Sequence, residues 1–130
     1  MFVFLDPFIK KVKANEGEVS IGGFSHQSIG ASANSYTSAS HAIAIGSYSR
    51  ATDVGATAVG SSSNASGASS TAIGRSSTSS GTQGSAFGYN ATASGDNSIA
   101  IGASTANSSG SIAIGNSASS TGGDSVALGG

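Results

Sequence analysis

The hydrophobic positions of this chain recur at a nearly fixed interval. Seven glycines, each of which follows an alanine and then a larger apolar residue, stand 14 residues apart, with one interval of 13: Gly46, Gly60, Gly74, Gly88, Gly102, Gly115 and Gly129. Each ends a short apolar run and precedes a tract of small polar residues. A fixed period of this kind indicates a repeat architecture in which each unit stacks on the one before it.

A single unit, YNATASGDNSIAIG at residues 89–102, predicts two short strands. Residues 99–101 alternate between the two faces of a strand, and residues 91–93 form a second extended half. Residues 95–97, with the sequence GDN, have the composition of a turn. Strand, turn, strand and glycine corner make one coil of a parallel β-solenoid. The predicted fold is therefore all-β, with regular coils of about 14 residues over residues 47–130.

Two columns of equivalent residues define the packing that we expect. The thirteenth position is always large and apolar and predicts a core ladder: Ile45, Val59, Ile73, Phe87, Ile101, Ile114 and Leu128. The twelfth position is always alanine: Ala44, Ala58, Ala72, Ala86, Ala100, Ala113 and Ala127. Because a strand face open to water tolerates larger polar residues, the alanine column predicts a close neighbour, which a second copy of the chain would supply.

Residues 1–18, MFVFLDPFIKKVKANEGE, lie outside the repeat and hold its densest apolar cluster. We expect a cap over the first coil or a segment that docks into a larger particle, with Phe2, Phe4, Phe8 and Ile9 as docking residues. A short helix, capped by Asp6 and ended by Gly17, and an added strand both fit the pattern. Residues 19–46 are expected to form irregular coils, since they repeat the motif only loosely.

Composition and charge narrow the function. Glycine and serine abundance alone would suggest a flexible linker, but a linker has no reason to keep a period. The net charge of −1 gives no basis for nucleic-acid binding, and no apolar run is long enough for membrane insertion by a helix. There is no cysteine, so disulfides and cysteine-ligated metals are excluded.

Catalytic chemistry is not indicated. His26 and His41 have no cysteine or carboxylate at metal-ligand spacing, and no G-x-S-x-G motif occurs. We therefore predict no enzyme activity, no cofactor and no metal. One further possibility is ice binding, because the sixth position forms a column of hydroxyls (Thr52, Ser66, Ser80, Ser94, Ser108 and Thr121), although turn chemistry explains these residues more simply.

The phrase (N/S)-S-(I/V)-A-(I/L)-G, seen in DNSIAIGASTA, GSIAIGNSASSTG and GDSVALGG, resembles the head repeats of trimeric autotransporter adhesins, the YadA-like head. The likeness covers residues 47–130 well and residues 19–46 loosely. It implies a left-handed parallel β-roll, three chains assembled about a threefold axis, and a head that projects from a cell surface and binds host matrix.

The chain departs from complete members of that family, which carry a secretory signal, a stalk and a membrane anchor. Because it starts with a distinct non-repeat segment at Met1, we expect a virion appendage, such as a tail or capsid fibre, that attaches to a host. The alternative is the head of a bacterial trimeric adhesin that binds host matrix. The expected partners are two further copies of the chain, an anchor contacted through residues 1–18, and a host-surface receptor.

Overall fold

The computed structural model describes residues 9–14, 17–22, 27–29, 34–35 and 40–129, and these contain strands and turns but no helix. The first sheet contains, in spatial order, β1 (Ile9–Ala14), β2 (Gly17–Gly22), β3 (Gln27–Ile29), β5 (Ile43–Ile45), β7 (Thr57–Val59), β9 (Thr71–Ile73), β11 (Ser85–Phe87), β13 (Ile99–Ile101), β15 (Ile112–Ile114) and β17 (Val126–Leu128). The second sheet contains β4 (Asn34–Ser35), β6 (Arg50–Ala51), β8 (Asn64–Ala65), β10 (Thr78–Ser79), β12 (Thr92–Ala93), β14 (Thr105–Ala106) and β16 (Ser119–Ser120).

The strands from β3 onward stack as a parallel β-solenoid, which confirms the predicted fold class. We number the regular coils 1 to 6, at residues 47–60, 61–74, 75–88, 89–102, 103–115 and 116–129. Each residue pairs with its equivalent in the next coil, as in Ala86 with Ala100 and Phe87 with Ile101. Because the register is the same throughout, each position of the repeat forms a straight column along the axis.

One corner of every coil is built on the glycine at position 14, and we call it the glycine corner. The backbone at Gly60 has φ +131°, a conformation that side chains disfavour. A Cβ atom there would lie 2.6 Å from the carbonyl oxygen of Gly74 in the next coil. The serine three residues later, Ser63, closes the turn by donating its hydroxyl to the Gly60 carbonyl at 2.9 Å. Glycine is therefore required both by the backbone angle and by the close stacking of coils.

Coil 5 is one residue shorter than the others, and the missing residue belongs to the glycine corner. The strand register is unbroken across it, because Ile99 pairs with Ile112 and Thr92 with Thr105. The shortened turn changes φ at Gly102 to +88°, against +124° to +135° at the other glycines of this column. The sixth-position column is corrected accordingly: Asn107, whose N–H bonds to the Ser120 carbonyl, takes the place expected for Ser108.

The interior of the solenoid contains only alanine, serine and glycine at its most buried positions. Positions 3, 5, 10 and 12 point inward, and the alanines at position 12, from Ala44 to Ala113, are fully buried within a single chain. Ala127, in the last coil described, is half-buried. The largest fully buried side chains are serines: Ser49, Ser63, Ser70, Ser77, Ser79, Ser98, Ser104 and Ser111. The gap between the two sheets of a coil thus admits little more than a methyl or hydroxymethyl group.

This arrangement corrects the predicted direction of two columns. The alanines do not face a neighbouring chain, because they fill the inside of the coil. The large residues at position 13 are not an internal ladder: Phe87 and Ile101 lie on the outer side of the first sheet, 38% and 41% exposed. Alternation along a strand links the two results, since a small residue facing a narrow interior places its larger neighbours outside.

The N-terminal part of the described chain is a hairpin. Strand β1 pairs antiparallel with β2, with Val12 opposite Val19, and β2 pairs antiparallel with β3. The predicted helix is therefore wrong over residues 9–14, where the chain is a strand. The alternative of an added strand rests on the alternation of residues 2–5, which lie outside the described residues. Residues 19–22, expected in an irregular coil, belong to this hairpin, which lies against the edge strand of the parallel stack. An antiparallel hairpin satisfies the backbone groups of that edge without needing the small interior of a coil.

Candidate functional site

One side of the solenoid carries a continuous apolar surface. We define the apolar face as the large apolar side chains that point outward at positions 11 and 13 of the first sheet: Ile43, Ile45, Val59, Ile73, Phe87, Ile99, Ile101, Ile112, Ile114, Val126 and Leu128. Position 11 is polar in coils 1 to 3 (Thr57, Thr71 and Ser85), so the face is one column wide there and two columns wide in coils 4 to 6. Several of these large side chains are more than a third exposed in the single chain, and Leu128 is 72% exposed. An ordered apolar surface of this extent is typical of a contact face.

The apolar face brings together residues that the sequence assigned to the core. The thirteenth column lies on it as a whole, whereas the alanine column lies behind it, inside the coil. Ile99, Ile112 and Val126 extend the same face, because position 11 and position 13 point the same way. The signal for this assignment is present in the sequence: positions 3, 5 and 10 are also restricted to alanine, serine and glycine, so four small columns enclose the interior.

The opposite side is polar. Outward positions 4 and 6 of the second sheet form a polar face, which consists of Arg50, Thr52, Asn64, Ser66, Thr78, Ser80, Thr92, Ser94, Thr105, Asn107, Ser119 and Thr121. These side chains can hydrogen-bond water, so this face needs no covering layer. The solenoid therefore has one apolar and one polar outer side, and this difference defines which side would face a partner.

Within residues 40–129 charged side chains are few, and all of them except Arg50, which lies in β6, are placed at the corners. Within residues 40–129, Asp53, Asp96 and Asp124 lie at the turn that follows the second sheet, opposite the glycine corner. Two of these carboxylates accept hydrogen bonds from the backbone: Asp53 accepts the Val54 N–H at 2.7 Å, and Asp96 accepts the Thr82 N–H of the preceding coil at 2.8 Å. These carboxylates therefore stabilise turns, as their position in the sequence indicates.

The structure describes one of the two histidines and one of the four candidate docking residues. His41 is exposed, at φ 65°, and His26 lies outside the described residues. No group of three or more histidine, cysteine, aspartate or glutamate side chains gathers in the part of the chain that the structure describes. Ile9 starts β1 and pairs with Gly22, whereas Phe2, Phe4 and Phe8 lie outside the described residues.

The described part of the chain contains no helix with the length and hydropathy of a membrane span. An unbroken stack of parallel coils, with a small-residue interior and an apolar outer face, defines a repetitive structural module. A model of the YadA head domain repeat, with two copies, matches residues 51–77, 79–105 and 106–130, more than half of the chain. The chain therefore belongs to the family of YadA head repeats, as the sequence motif predicts. No curated protein matches the sequence as a relative.

Proposed function

We propose that this chain forms a homotrimeric, non-enzymatic module that projects from a surface and contributes to adhesion. The observation that carries the proposal is the apolar face, a column of exposed Ile, Phe and Leu side chains on a chain whose own interior is only alanine, serine and glycine. Burial of apolar area contributes roughly 25 cal/mol per Å², so a neighbouring chain that covers this face adds stabilisation that the narrow interior cannot.

The family supports the number of chains and the adhesive role. YadA-like heads assemble as homotrimers on the bacterial surface, and the match to this family covers coils 1 to 6 almost completely. In the proposed trimer the apolar faces meet near the axis and the polar faces point to solvent. A stack of parallel coils with continuous hydrogen-bond ladders is stiff along its axis, which suits a projecting role.

Measurement of the solution mass tests the assembly. Light scattering after size exclusion should give three times 12.3 kDa, about 37 kDa, with the circular dichroism of a β-rich protein. A β-rich monomer of 12.3 kDa would overturn the trimer. Such a monomer would also leave a flat solenoid in solution, and a thermal-hysteresis assay on it would then test ice binding.

The surface that carries the module is part of the proposal. Membership in a family of bacterial surface adhesins favours a bacterial cell, while a virion appendage is the alternative carried by the sequence. Antibodies against the trimer separate the two. Labelling of intact bacterial cells supports the adhesin, and labelling of purified particles by immunogold electron microscopy supports the virion.

The N-terminal segment is proposed to attach the module to its carrier through residues 1–18, with Phe2, Phe4, Phe8 and Ile9 as contacts. Deletion of residues 1–8 removes none of β1 or of the solenoid, so the shortened chain should still form a trimer and keep its circular dichroism spectrum. If the segment docks the module, the shortened chain is lost from the cell or particle surface. Normal incorporation of the shortened chain would assign attachment to another part of the molecule.

A further inference from the structure

The glycine corner carries one cation stacked on an aromatic ring. Arg75 in coil 3 and Tyr89 in coil 4 both occupy position 1, and the guanidinium carbon lies 4.4 Å from the centroid of the Tyr89 ring. Arg75 is exposed, and Tyr89 is 52% exposed. Stacking fixes the plane of the guanidinium but leaves its N–H edges free to donate to a planar anion. The pair therefore presents an oriented guanidinium edge beside an accessible aromatic surface.

The missing residue of coil 5 lies directly beside this pair. In the neighbouring coils the corner has two residues between the position-14 glycine and the buried residue at position 3, whereas coil 5 has only Ala103 between Gly102 and Ser104. The loss of one residue predicts a recess at this corner, between Tyr89 and Asn90 on one side and Asn116 on the other. We call this recess the corner notch.

The shortened corner also leaves a backbone acceptor without its usual partner. At this corner the position-2 N–H bonds to the position-1 carbonyl of the preceding coil, as in Asn90 to Arg75 at 3.1 Å and Ser117 to Ala103 at 2.8 Å. Coil 5 lacks the position-2 residue, and among residues 40–129 no backbone N–H bonds to the Tyr89 carbonyl. The shortened corner therefore leaves a backbone acceptor free on Tyr89, the residue whose ring stacks with the Arg75 guanidinium.

The distribution of charge favours an anion at this corner. The carboxylates of residues 40–129 are at the opposite corner of the coil, where Asp53 and Asp96 are bonded to turn N–H groups. Arg75 is thus separated from them by the width of the coil. An anionic group that approaches the glycine corner meets the guanidinium without a competing carboxylate on the same edge.

We infer that the corner notch binds a carboxylate-bearing sugar residue. The carboxylate pairs with the edge of the Arg75 guanidinium, a sugar hydroxyl donates to the Tyr89 carbonyl, and the apolar face of the sugar ring lies on the Tyr89 side chain. The Asn90 and Asn116 amides flank the notch and can bond further hydroxyls. The inference deepens the proposed function by naming the ligand class, and it rests on that function only for the threefold repetition that raises avidity.

Glycan binding by the wild-type trimer tests the inference. The probes are immobilised saccharides that end in neuraminic or glucuronic acid, each with its neutral parent sugar as reference. The protein should bind the carboxylated probes and not the neutral parents. Arg75→Gln and Tyr89→Ala should each lower binding about tenfold or more, because a charge-assisted pair or the stacking surface is lost.

The chain offers matched controls for both substitutions. Arg50→Gln removes an exposed cation in coil 1, and Tyr48→Ala removes a tyrosine that is 66% exposed at the same corner, far from the notch. Both should leave binding within twofold of wild type. Insertion of one serine between Ala103 and Ser104 restores a full corner, fills the notch and supplies the missing N–H, so it should abolish binding without loss of mass or β structure.

The outcomes separate this inference from the proposed assembly. A trimer that binds carboxylated and neutral sugars equally, or whose binding survives the serine insertion, overturns the notch and leaves the trimer standing. A monomer whose binding still depends on Arg75 overturns the trimer and supports the notch. Equal losses in the Arg75 and Arg50 variants would assign binding to net charge and overturn the site.

Discussion

At the scale of single residues, the fold is decided by which positions can lack a side chain. At Gly60 two independent constraints coincide, since the backbone angle lies in a region that side chains avoid and a Cβ atom would meet the carbonyl of Gly74. At Gly123 neither applies, because its nearest neighbour is a carbonyl oxygen at 3.7 Å, an ordinary contact distance. Gly60 and Gly123 should therefore differ widely in what they contribute to the stability of the fold.

Gly60→Ala should lower the free energy of unfolding by at least about 2 kcal/mol, since it combines a disfavoured φ with a backbone clash. Gly123→Ala is the matched control and should stay within about 0.5 kcal/mol of wild type. Denaturant unfolding followed by circular dichroism measures both. Equal stability of the two variants would show that coils can separate at the corner without cost.

The interior alanines make a second prediction at this scale. Ala100 is 0% exposed and faces the opposite sheet of its own coil, so Ala100→Leu should destabilise the coil by about 1–3 kcal/mol or prevent folding. Ala68→Leu adds the same volume at a half-buried turn position and should be tolerated. Thermal unfolding of the two variants compares them directly. A stable Ala100→Leu variant would mean that the interior has room that the structure does not show.

At the scale of elements, the two strands of a coil are matched in volume across the interior. Positions 5 and 10 face each other, and both carry small residues in every regular coil: Ala93 stands opposite Ser98, while Ser79 stands opposite Gly84. A Cβ atom on Gly84 would lie 2.8 Å from the Ser79 hydroxyl oxygen. In coil 6, where both residues are serine, the pair is joined by a 2.6 Å contact between hydroxyls.

A double-mutant cycle on Ser79 and Gly84 tests this matching. Gly84→Ala alone should cost about 1 kcal/mol, because the new methyl group meets a buried hydroxyl. Ser79→Ala removes that hydroxyl, which has no hydrogen-bond partner, so the double variant should regain wild-type stability and reproduce the Ala51 and Ala56 pair of coil 1. Additive effects in the cycle would show that the two strands pack independently.

The sequence predicts the elements better than it predicts their orientation. The 14-residue period and the alternation in residues 99–101 are local, and they locate β13 correctly. Which side of β13 faces inward depends on the distance between the two sheets of a coil, which no single strand reveals. The corner notch could not be predicted for a similar reason. The sequence shows the 13-residue interval, but only the register of the strands across coils shows that the missing residue belongs to the glycine corner beside Tyr89.

At the scale of the whole molecule, function depends on the contrast between two outer faces. The apolar face exposes Phe87 and Ile101, and the polar face exposes Thr92 and Ser94 on the other side of the same coils. Because the interior contributes little apolar burial, the stability of the chain should depend strongly on its assembly. Loss of the partner would then reduce stability as well as mass.

Ile101→Lys tests this dependence by placing a charge at the centre of the apolar face. Ile101 is already 41% exposed in a single chain, so the lysine fits a single coil without strain, but burial against another copy would leave the ammonium unpaired. The expected result is a fall in mass from about 37 kDa toward 12.3 kDa, together with a lower unfolding temperature that depends on protein concentration. Ser94→Lys adds the same charge on the polar face of coil 4 and should leave mass and stability unchanged. If instead Ser94→Lys dissociates the protein and Ile101→Lys does not, the polar face is the one that lies against the neighbouring chains.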